Sequence, residues 1–143
     1  MKLPLLTRIS TVLLLMVCAG SMAGQESIPI EGRVVDAKTG EVLPARLYIE
    51  SATGEFFHAE SKSTRGTAIP YSKIRPNGSI EVHTTLSAHP FTAKLPPGSY
   101  TLTAERGKEY SAASRTINID PGMKAHAVIL ELKRWINMAE RGW

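Results

Sequence analysis

The side chains in this chain best suited to metal-dependent hydrolysis are its four histidines, His58, His83, His89 and His126. A hydrolytic zinc site usually takes three protein ligands and leaves a fourth position open. His83 and His89 flank the end of one expected strand, where Glu81 could join them. Against this, alternation with Val82 places His83 on the polar face of that strand, and His89 precedes Pro90, which favours extended backbone. The sequence therefore predicts neither a metal site nor a cofactor.

A catalytic nucleophile is also not indicated. The only cysteine, Cys18, lies in an apolar N-terminal segment, and no serine occupies a Gly-x-Ser-x-Gly elbow. The chain has 17 basic and 13 acidic residues, without the concentrated positive charge that nucleic-acid binding requires. We therefore expect no enzymatic activity from the chain as given, and no nucleic-acid partner.

Residues 61–78 interrupt the otherwise regular pattern and carry four basic side chains without an acidic one: Lys62, Arg65, Lys73 and Arg75. The segment is long for a connection in a compact domain, where about 4–6 residues is typical. Two interpretations remain open. The segment is either a solvated, mobile insertion or a binding loop for an anionic partner such as an acidic glycan.

Aromatic residues provide a second group of candidate contacts. Phe56 and Phe57 are adjacent on an expected strand, so only one of them can face the core and the other could contact a ligand. Trp135 is expected to pack the tail against the sandwich; if the domain docks on a partner, exposed tryptophans near the C-terminus would suit the interface. Together with the basic segment, this predicts seven ligand or partner contacts: Phe57, Arg65, Tyr71, Lys73, Arg75, Trp135 and Trp143.

Short alternating strands separated by Gly/Pro turns are the elements that must position these side chains. Ala37-Lys38-Thr39-Gly40 and Pro96-Pro97-Gly98 are the clearest turns, since glycine accepts the positive φ that such turns require. No long amphipathic helix appears before Lys133, and the pattern predicts an all-β sandwich of about seven strands, with a short C-terminal helix. The expected strands cover 28–36, 43–51, 55–60, 79–86, 91–95, 99–105, 114–119 and 124–132.

Residues 1–23 have the pattern of a secretory signal peptide. Lys2 and Arg8 precede an apolar run, and Ser21-Met22-Ala23 supplies small residues before cleavage after Ala23. The run is shorter than the roughly 20 residues that span a membrane. Cys18 fits a lipoprotein signal poorly, because Val17 stands where a small residue is preferred. We therefore expect an exported protein, periplasmic or extracellular, without a membrane span or a disulfide after cleavage.

Two segments resemble the carboxypeptidase regulatory-like domain, a transthyretin-like or prealbumin-like sandwich. They are the segment from Gly32 to Ile49, GRVVDAKTGEVLPARLYI, and the segment from Phe91 to Ala104, FTAKLPPGSYTLTA. The resemblance implies an Ig-like/prealbumin-like fold over 24–132. Such sandwiches act as spacers, docking modules or carbohydrate-binding modules, so the fold alone does not identify a function.

A further resemblance covers roughly residues 78–143 and includes the tail LKRWINMAERGW. This part of the chain is similar to the N-terminal accessory domain of secreted CehA/McbA-type metallohydrolases of the PHP (polymerase and histidinol phosphatase) superfamily. In those proteins the tail leads into a metal-binding strand with a His-x-His motif, and no such motif is present here. The sequence thus predicts a secreted, non-catalytic accessory or binding module with a helical tail or linker at 133–143. The alternative is the front part of a PHP-type hydrolase whose catalytic domain is missing; a glycan or such a domain is the expected partner.

Overall fold

The structure, a computed structural model, describes residues 26–143 as two β-sheets packed face to face. The expected signal peptide lies outside the described residues. The elements are β1 (Ile28–Asp36), β2 (Ala45–Ser51), β3 (Phe56–Phe57), β4 (Glu60–Ser61), β5 (Ala68–Ile74), β6 (Ile80–Leu86), β7 (Phe91–Leu95), β8 (Gly98–Glu105), β9 (Tyr110–Ser111), β10 (Ala113–Ile119), β11 (His126–Arg134) and one 3-10 turn (Ala139–Arg141).

Sheet one has the strand order β4-β7-β1-β11-β9. Its centre is β1, which pairs in parallel with β11, from Ile30 opposite His126 to Asp36 opposite Leu132, and antiparallel with β7 on its other side. Within β1, Gly32 gives the ring of Phe91 room to pack, because a Cβ on Gly32 would collide with that ring. The first and last long strands of the described chain therefore pair with each other in the middle of this sheet.

Sheet two has the strand order β10-β8-β2-β6-β5, and β3 pairs with β2 beside β6. All of its long neighbours are antiparallel. Its inner face is set by alternation: Leu47 and Ile49 of β2 are buried while Arg46 and Glu50 are exposed. The side chains of both sheets meet in one core, whose largest members include Phe91, Ile28, Ile30, Leu47, Ile49, Leu95, Leu102, Leu130 and Leu132.

The two turns predicted from the sequence, at 37–40 and 96–98, are present in the structure. In the first, a carboxylate oxygen of Asp36 accepts bonds from the N–H groups of Lys38 and Thr39, and Gly40 has φ 71°. These bonds hold the pKa of Asp36 below its usual value. In the second, the hydroxyl of Tyr100 donates to the carbonyl of Pro96 at 2.7 Å. The expectation that Tyr100 points inward and bonds nearby backbone is confirmed.

The all-β, Ig-like/prealbumin-like sandwich is confirmed, with corrections to three elements. Residues 61–78 are not one irregular insertion, since they contain the seven-residue strand β5. The expected strand 55–60 divides into β3 and β4, which belong to different sheets. The short C-terminal helix is a single 3-10 turn, and β11 continues two residues beyond Leu132. The structure has more strands than the roughly seven that were expected, because β5 and the two-residue strand β9 were missed and because β3 and β4 were read as one strand.

The domain limits 24–132 and 133–143 stay predictions. No helix within residues 26–143 has the length and apolar character needed to cross a membrane.

Candidate functional site

The outer face of sheet two, away from the core, carries a stack of three rings contributed by three strands. Tyr71 of β5 lies directly opposite His83 of β6, and their ring centroids are 4.8 Å apart with an interplanar angle of 24°. The ring of Tyr48, on β2, lies on the other side of His83 at 5.4 Å and 49°. We call these three residues the aromatic row. The row holds the β5–β6 hairpin to β2 from the solvent side.

His83 is buried within this row, although it faces away from the core. Its residue surface is only 5% exposed, and its Nδ1 atom has no hydrogen-bond partner. The nearest carboxylate oxygen is Oε1 of Glu81, at 3.8 Å from Nδ1. Burial, assisted by the nearby charge of Arg46, lowers the pKa of His83. The imidazole is therefore neutral at physiological pH and acts in the row as a flat, weakly polar ring.

Two of the four basic residues of the segment 61–78 form ion pairs with carboxylates. Lys62 forms an ion pair with Glu31. Arg75 forms one with Glu81, and this contact lowers the pKa of Glu81. Lys73 lies directly across the hairpin from the same Glu81. Binding of an anionic partner to this segment stays a prediction, for which the exposed Arg65 and Lys73 are the remaining candidates.

The predicted aromatic contacts do not form a common platform. Phe57 packs against the core and meets Tyr100 edge-on, with centroids 5.5 Å apart at 82°. Tyr71, which is 39% exposed, uses one ring face on His83. Sugar rings are bound by stacking on aromatic faces, so the row offers a glycan only the far face of Tyr71. Glycan binding stays a prediction with few residues to support it.

A shallow cavity of about 460 Å³ continues the outer face of sheet two beyond the row, lined by Arg46, Glu105, Gly107, Tyr110 and Ala112. The hydroxyl of Tyr48 lies 3.4 Å from a carboxylate oxygen of Glu105, which links the row to this cavity. The cavity holds one cationic and one anionic side chain but no nucleophile. It can hydrogen-bond a small polar group and provides no chemistry of its own.

The metal site considered for His83, His89 and Glu81 is not assembled. Within residues 26–143 no group of three or more histidine, cysteine, aspartate or glutamate side chains is placed to hold a metal ion. Nδ1 of His89 instead lies 3.0 Å from the hydroxyl of Ser87. His58 lies between the hydroxyls of Ser72 and Thr84.

The C-terminal tail, residues 135–143, leaves the end of β11 and is fixed to the sandwich by Glu109. The carbonyl of Glu109 accepts from the N–H of Trp135 at 3.0 Å. The carboxylate of Glu109 accepts from the N–H of Met138 at 2.7 Å and from Arg134 at 3.2 Å. The tail nevertheless leaves Trp135 64% and Trp143 86% exposed. A cavity of about 640 Å³ separates the tail from the turn at 36–39.

No protein-family profile matches the chain, and no curated protein sequence does. Solved structures do share its architecture. A double mutant of the shaft pilin SpaA from Lactobacillus rhamnosus GG is 16% identical, with a TM-score of 0.50, over 78% of this chain and 48% of the pilin. The pilus 2b backbone protein of group B streptococcus is 16% identical, with a TM-score of 0.49, over 76% of this chain and 41% of its own. The chain thus spans about half of these pilins, and at this identity the similarity concerns the fold.

The sequence did not predict the central residues of the aromatic row or the residue that anchors the C-terminal tail. His83 and Tyr48 were not among the predicted contacts, because their proximity depends on the pairing of β2, β6 and β5. Glu109 was missed for the same reason: it contacts a segment 26 to 29 residues further along the chain. The one local signal was Tyr48 and His83 themselves, each at an outward position of an alternating strand.

Proposed function

We propose that this chain is a non-catalytic accessory module of an exported protein, and that it docks onto a protein domain through its C-terminal tail. The observation that carries the proposal is the exposure of both tail tryptophans, Trp135 and Trp143, on a backbone held in place by Glu109. Tryptophan is the residue most enriched among the energetically dominant contacts of protein interfaces.

Order in the tail supports docking, because a fixed segment loses less conformational freedom when it binds. The 3-10 turn ends at Gly142, whose φ of 79° closes the turn, and the N–H of Trp143 donates to the carbonyl of Met138. Met138 is also partly exposed and lies between the two tryptophans in sequence. The tail thus presents an apolar surface in a defined conformation beside a cavity large enough for a partner's side chain.

The non-catalytic part of the proposal has a test of its own. The test is hydrolysis of phosphoesters and carbamates by the purified chain with added Zn²⁺ or Mn²⁺. We expect no turnover above the metal alone. Turnover that is lost in both His83→Ala and His89→Ala would overturn the non-catalytic assignment.

Docking can be measured directly, because the two tryptophans of the chain are both in the tail. Indole fluorescence therefore reports on the tail alone. In the isolated chain we expect emission typical of hydrated indole and strong quenching by acrylamide. In the native product, purified intact from its own host, we expect the emission that is lost on replacing Trp135 and Trp143 with phenylalanine to be blue-shifted and weakly quenched, because this difference isolates the tail from tryptophans elsewhere in the product. Equal quenching in the two preparations would overturn docking through the tail. The variants Trp135→Phe and Trp143→Phe assign the protection to one side chain.

A second candidate is the front part of a secreted PHP-type metal-dependent hydrolase, supported by the resemblance of residues 78–143 to the accessory domain of those enzymes. Its catalytic domain would then be the partner of the tail. The intact mass of the native product distinguishes the two candidates. A mass several times that of this chain supports the hydrolase, while a mass near that of residues 24–143 excludes it and leaves docking to a separate protein.

A further inference from the structure

The open edge of sheet two is the feature that the proposed function does not use. β5 pairs with β6 along seven residues, and no strand within residues 26–143 pairs with its other side. An unpaired strand edge exposes a row of N–H and C=O groups that can accept another strand. Within residues 26–143 sheet one has no comparable edge, since it ends in the two-residue strands β4 and β9. The other edge strand of sheet two, β10, lies against β11 of sheet one, where Arg115 donates to the carbonyl of Ile129.

The hydrogen bonds at the two ends of the β5–β6 hairpin define which residues face the open edge. Ser87 donates its N–H to the carbonyl of Thr67, and Arg75 donates its N–H to that of Ser79. Alternate pairs of an antiparallel ladder are hydrogen-bonded. The odd-numbered residues of β5 therefore bond to β6, and the main-chain groups of Ala68, Pro70, Ser72 and Ile74 point outward. Pro70, which has no N–H, lies at a position where none is needed within the monomer.

We propose that two copies of this chain pair through β5 in an antiparallel arrangement, with the two-fold axis between the two copies of Tyr71. Such an interface uses the same surface on both subunits, as a two-fold axis requires. In this register Ala68 faces Ile74 of the second copy, and Ser72 faces Pro70. The N–H groups of Ala68, Ser72 and Ile74 each find a carbonyl acceptor. Sheet two of one copy continues into sheet two of the other.

Tyr71 provides the side-chain argument for a second copy as the occupant. One face of its ring stacks on His83, and in the part of the chain that the structure describes no strand pairs with β5 on its other side. Residues that face each other in a non-hydrogen-bonded pair have Cα atoms about 4.5 Å apart, which favours contact between aromatic rings. The dimer therefore continues the aromatic row through the axis, with Tyr71 stacked between His83 and the second Tyr71.

Charge and exposure favour the same register. Lys73 faces Ile69 of the second copy and lies diagonal to its Tyr71, so no two like charges meet. A register centred on Lys73 would oppose two ammonium groups, and one centred on Pro70 would lack both central N–H donors. Lys and Pro are residues that limit strand pairing at edges, and here they disfavour these two alternative registers. Pairing also covers Ile69 and Ile74, which are 61% and 75% exposed in the monomer.

Sedimentation equilibrium of the purified chain over micromolar to millimolar concentration tests the proposal. We expect a reversible monomer–dimer equilibrium. Ser72→Pro removes an N–H that faces only the second copy and should weaken dimerisation roughly tenfold or more. The matched control, Ser72→Ala, loses the same hydroxyl and keeps the N–H, so it should dimerise like the parent chain. A monomer at all concentrations, or equal dimerisation of the two variants, overturns the proposal.

Disulfide trapping tests the register without altering the backbone. In a Cys18→Ser background, Tyr71→Cys places two thiols across the axis, within the 4.4–6.8 Å Cα separation of disulfides. We expect a covalent dimer on mild oxidation. Ile69→Cys is the control, because its two copies are offset along the strands and should remain reduced at the same protein concentration. Equal cross-linking of the two variants, or preferential cross-linking of Ile69→Cys, would overturn the register.

Discussion

β1 and β5 are strands of similar composition in opposite surroundings. IPIEGRVVD in β1 and AIPYSKI in β5 both combine isoleucine, proline and polar residues. β1 is paired on both sides and has six buried residues, whereas β5 is paired on one side and has none. The comparison shows that alternation in sequence establishes two faces of a strand and does not determine whether either face is covered.

The difference has a structural cause in the path of β6. Near Leu86 this strand pairs with β2, but its first half is displaced by β3, which takes the place beside Ile49 and Glu50. The far half of the β5–β6 hairpin therefore extends past the core. Ile74 and Ile80, which face each other across the hairpin, remain exposed for that reason. The aromatic row is what joins this extended half to the sandwich.

The largest effects are expected where β1 meets β7. Phe91→Ala should lower the free energy of unfolding by about 3–5 kcal/mol, because it leaves a cavity beside Gly32. Gly32→Ala should cost about 1–3 kcal/mol, because its methyl group meets the Phe91 ring and lies 2.8 Å from Cγ1 of Val128. The double variant should lose less than the sum, since the new methyl group enters the new cavity. Urea unfolding measures all three, with exposed Arg33→Ala as the control at about 0.5 kcal/mol or less. If the loss in the double variant equals the sum of the two single losses, position 32 and the Phe91 ring are not in contact.

A smaller loss is expected when the hydroxyl of Tyr100 is removed. Tyr100→Phe leaves the carbonyl of Pro96 without its 2.7 Å donor and should cost about 0.5–1.5 kcal/mol in urea unfolding. Tyr48→Phe is the matched control, since its hydroxyl makes only an exposed contact at 3.4 Å. An equal loss in the two variants would mean that the bond from Tyr100 to Pro96 contributes no more to the free energy of unfolding than the exposed contact of Tyr48.

The pH dependence of the free energy of unfolding tests the burial of His83 in the aromatic row. The pKa of His83 is lower in the folded protein than in the unfolded chain, so the unfolded state binds the additional proton. The stabilisation is fully present above the unfolded pKa of about 6.5 and decreases as the pH falls towards the folded pKa. We expect a lower urea midpoint at pH 5.5 than at pH 7.5. His83→Phe should reduce this slope. A parent protein that is more stable at pH 5.5 would contradict the assignment.

The smallest effect is expected at the end of the hairpin. The double variant Ile74→Thr/Ile80→Thr should change monomer stability by about 0.5 kcal/mol or less per site, because both side chains are already in solvent. Ile30→Thr, in β1, is the comparison and should be strongly destabilising, since it buries a hydroxyl in the core. The measurement is made at low micromolar concentration, where strand pairing between copies is minimal. A large loss in the hairpin variant would show that its tip is packed.

The parts of the fold that were predictable are those determined by neighbours in sequence. Alternation located β1, β2, β7 and β8, and the Pro96-Pro97-Gly98 turn predicted both the start of a strand and the inward Tyr100. β5 was not found, because Pro70 and the adjacent basic residues resemble a loop. A strand can contain these residues only where it lies at the open edge of a sheet, and the position of a strand in its sheet is a property of the assembled fold.

The candidate surfaces were less predictable than the fold. The row of Tyr48, His83 and Tyr71 requires the register of three strands, and a buried histidine on an outer face has no local signature. Trp135 was expected to pack the tail against the sandwich, and its side chain is instead 64% exposed. The anchoring of the tail was not foreseen, because Glu109 reaches it from the connection between β8 and β9.

The parallel pairing of β1 with β11 has a mechanical consequence. Whatever is attached before Ile28 and after Arg134 pulls on two strands that lie side by side and point the same way. Tension between those points loads the seven pairs from Ile30–His126 to Asp36–Leu132 in shear, so that they resist together instead of separating one after another. The sandwich is therefore suited to transmitting force along its own length while staying folded.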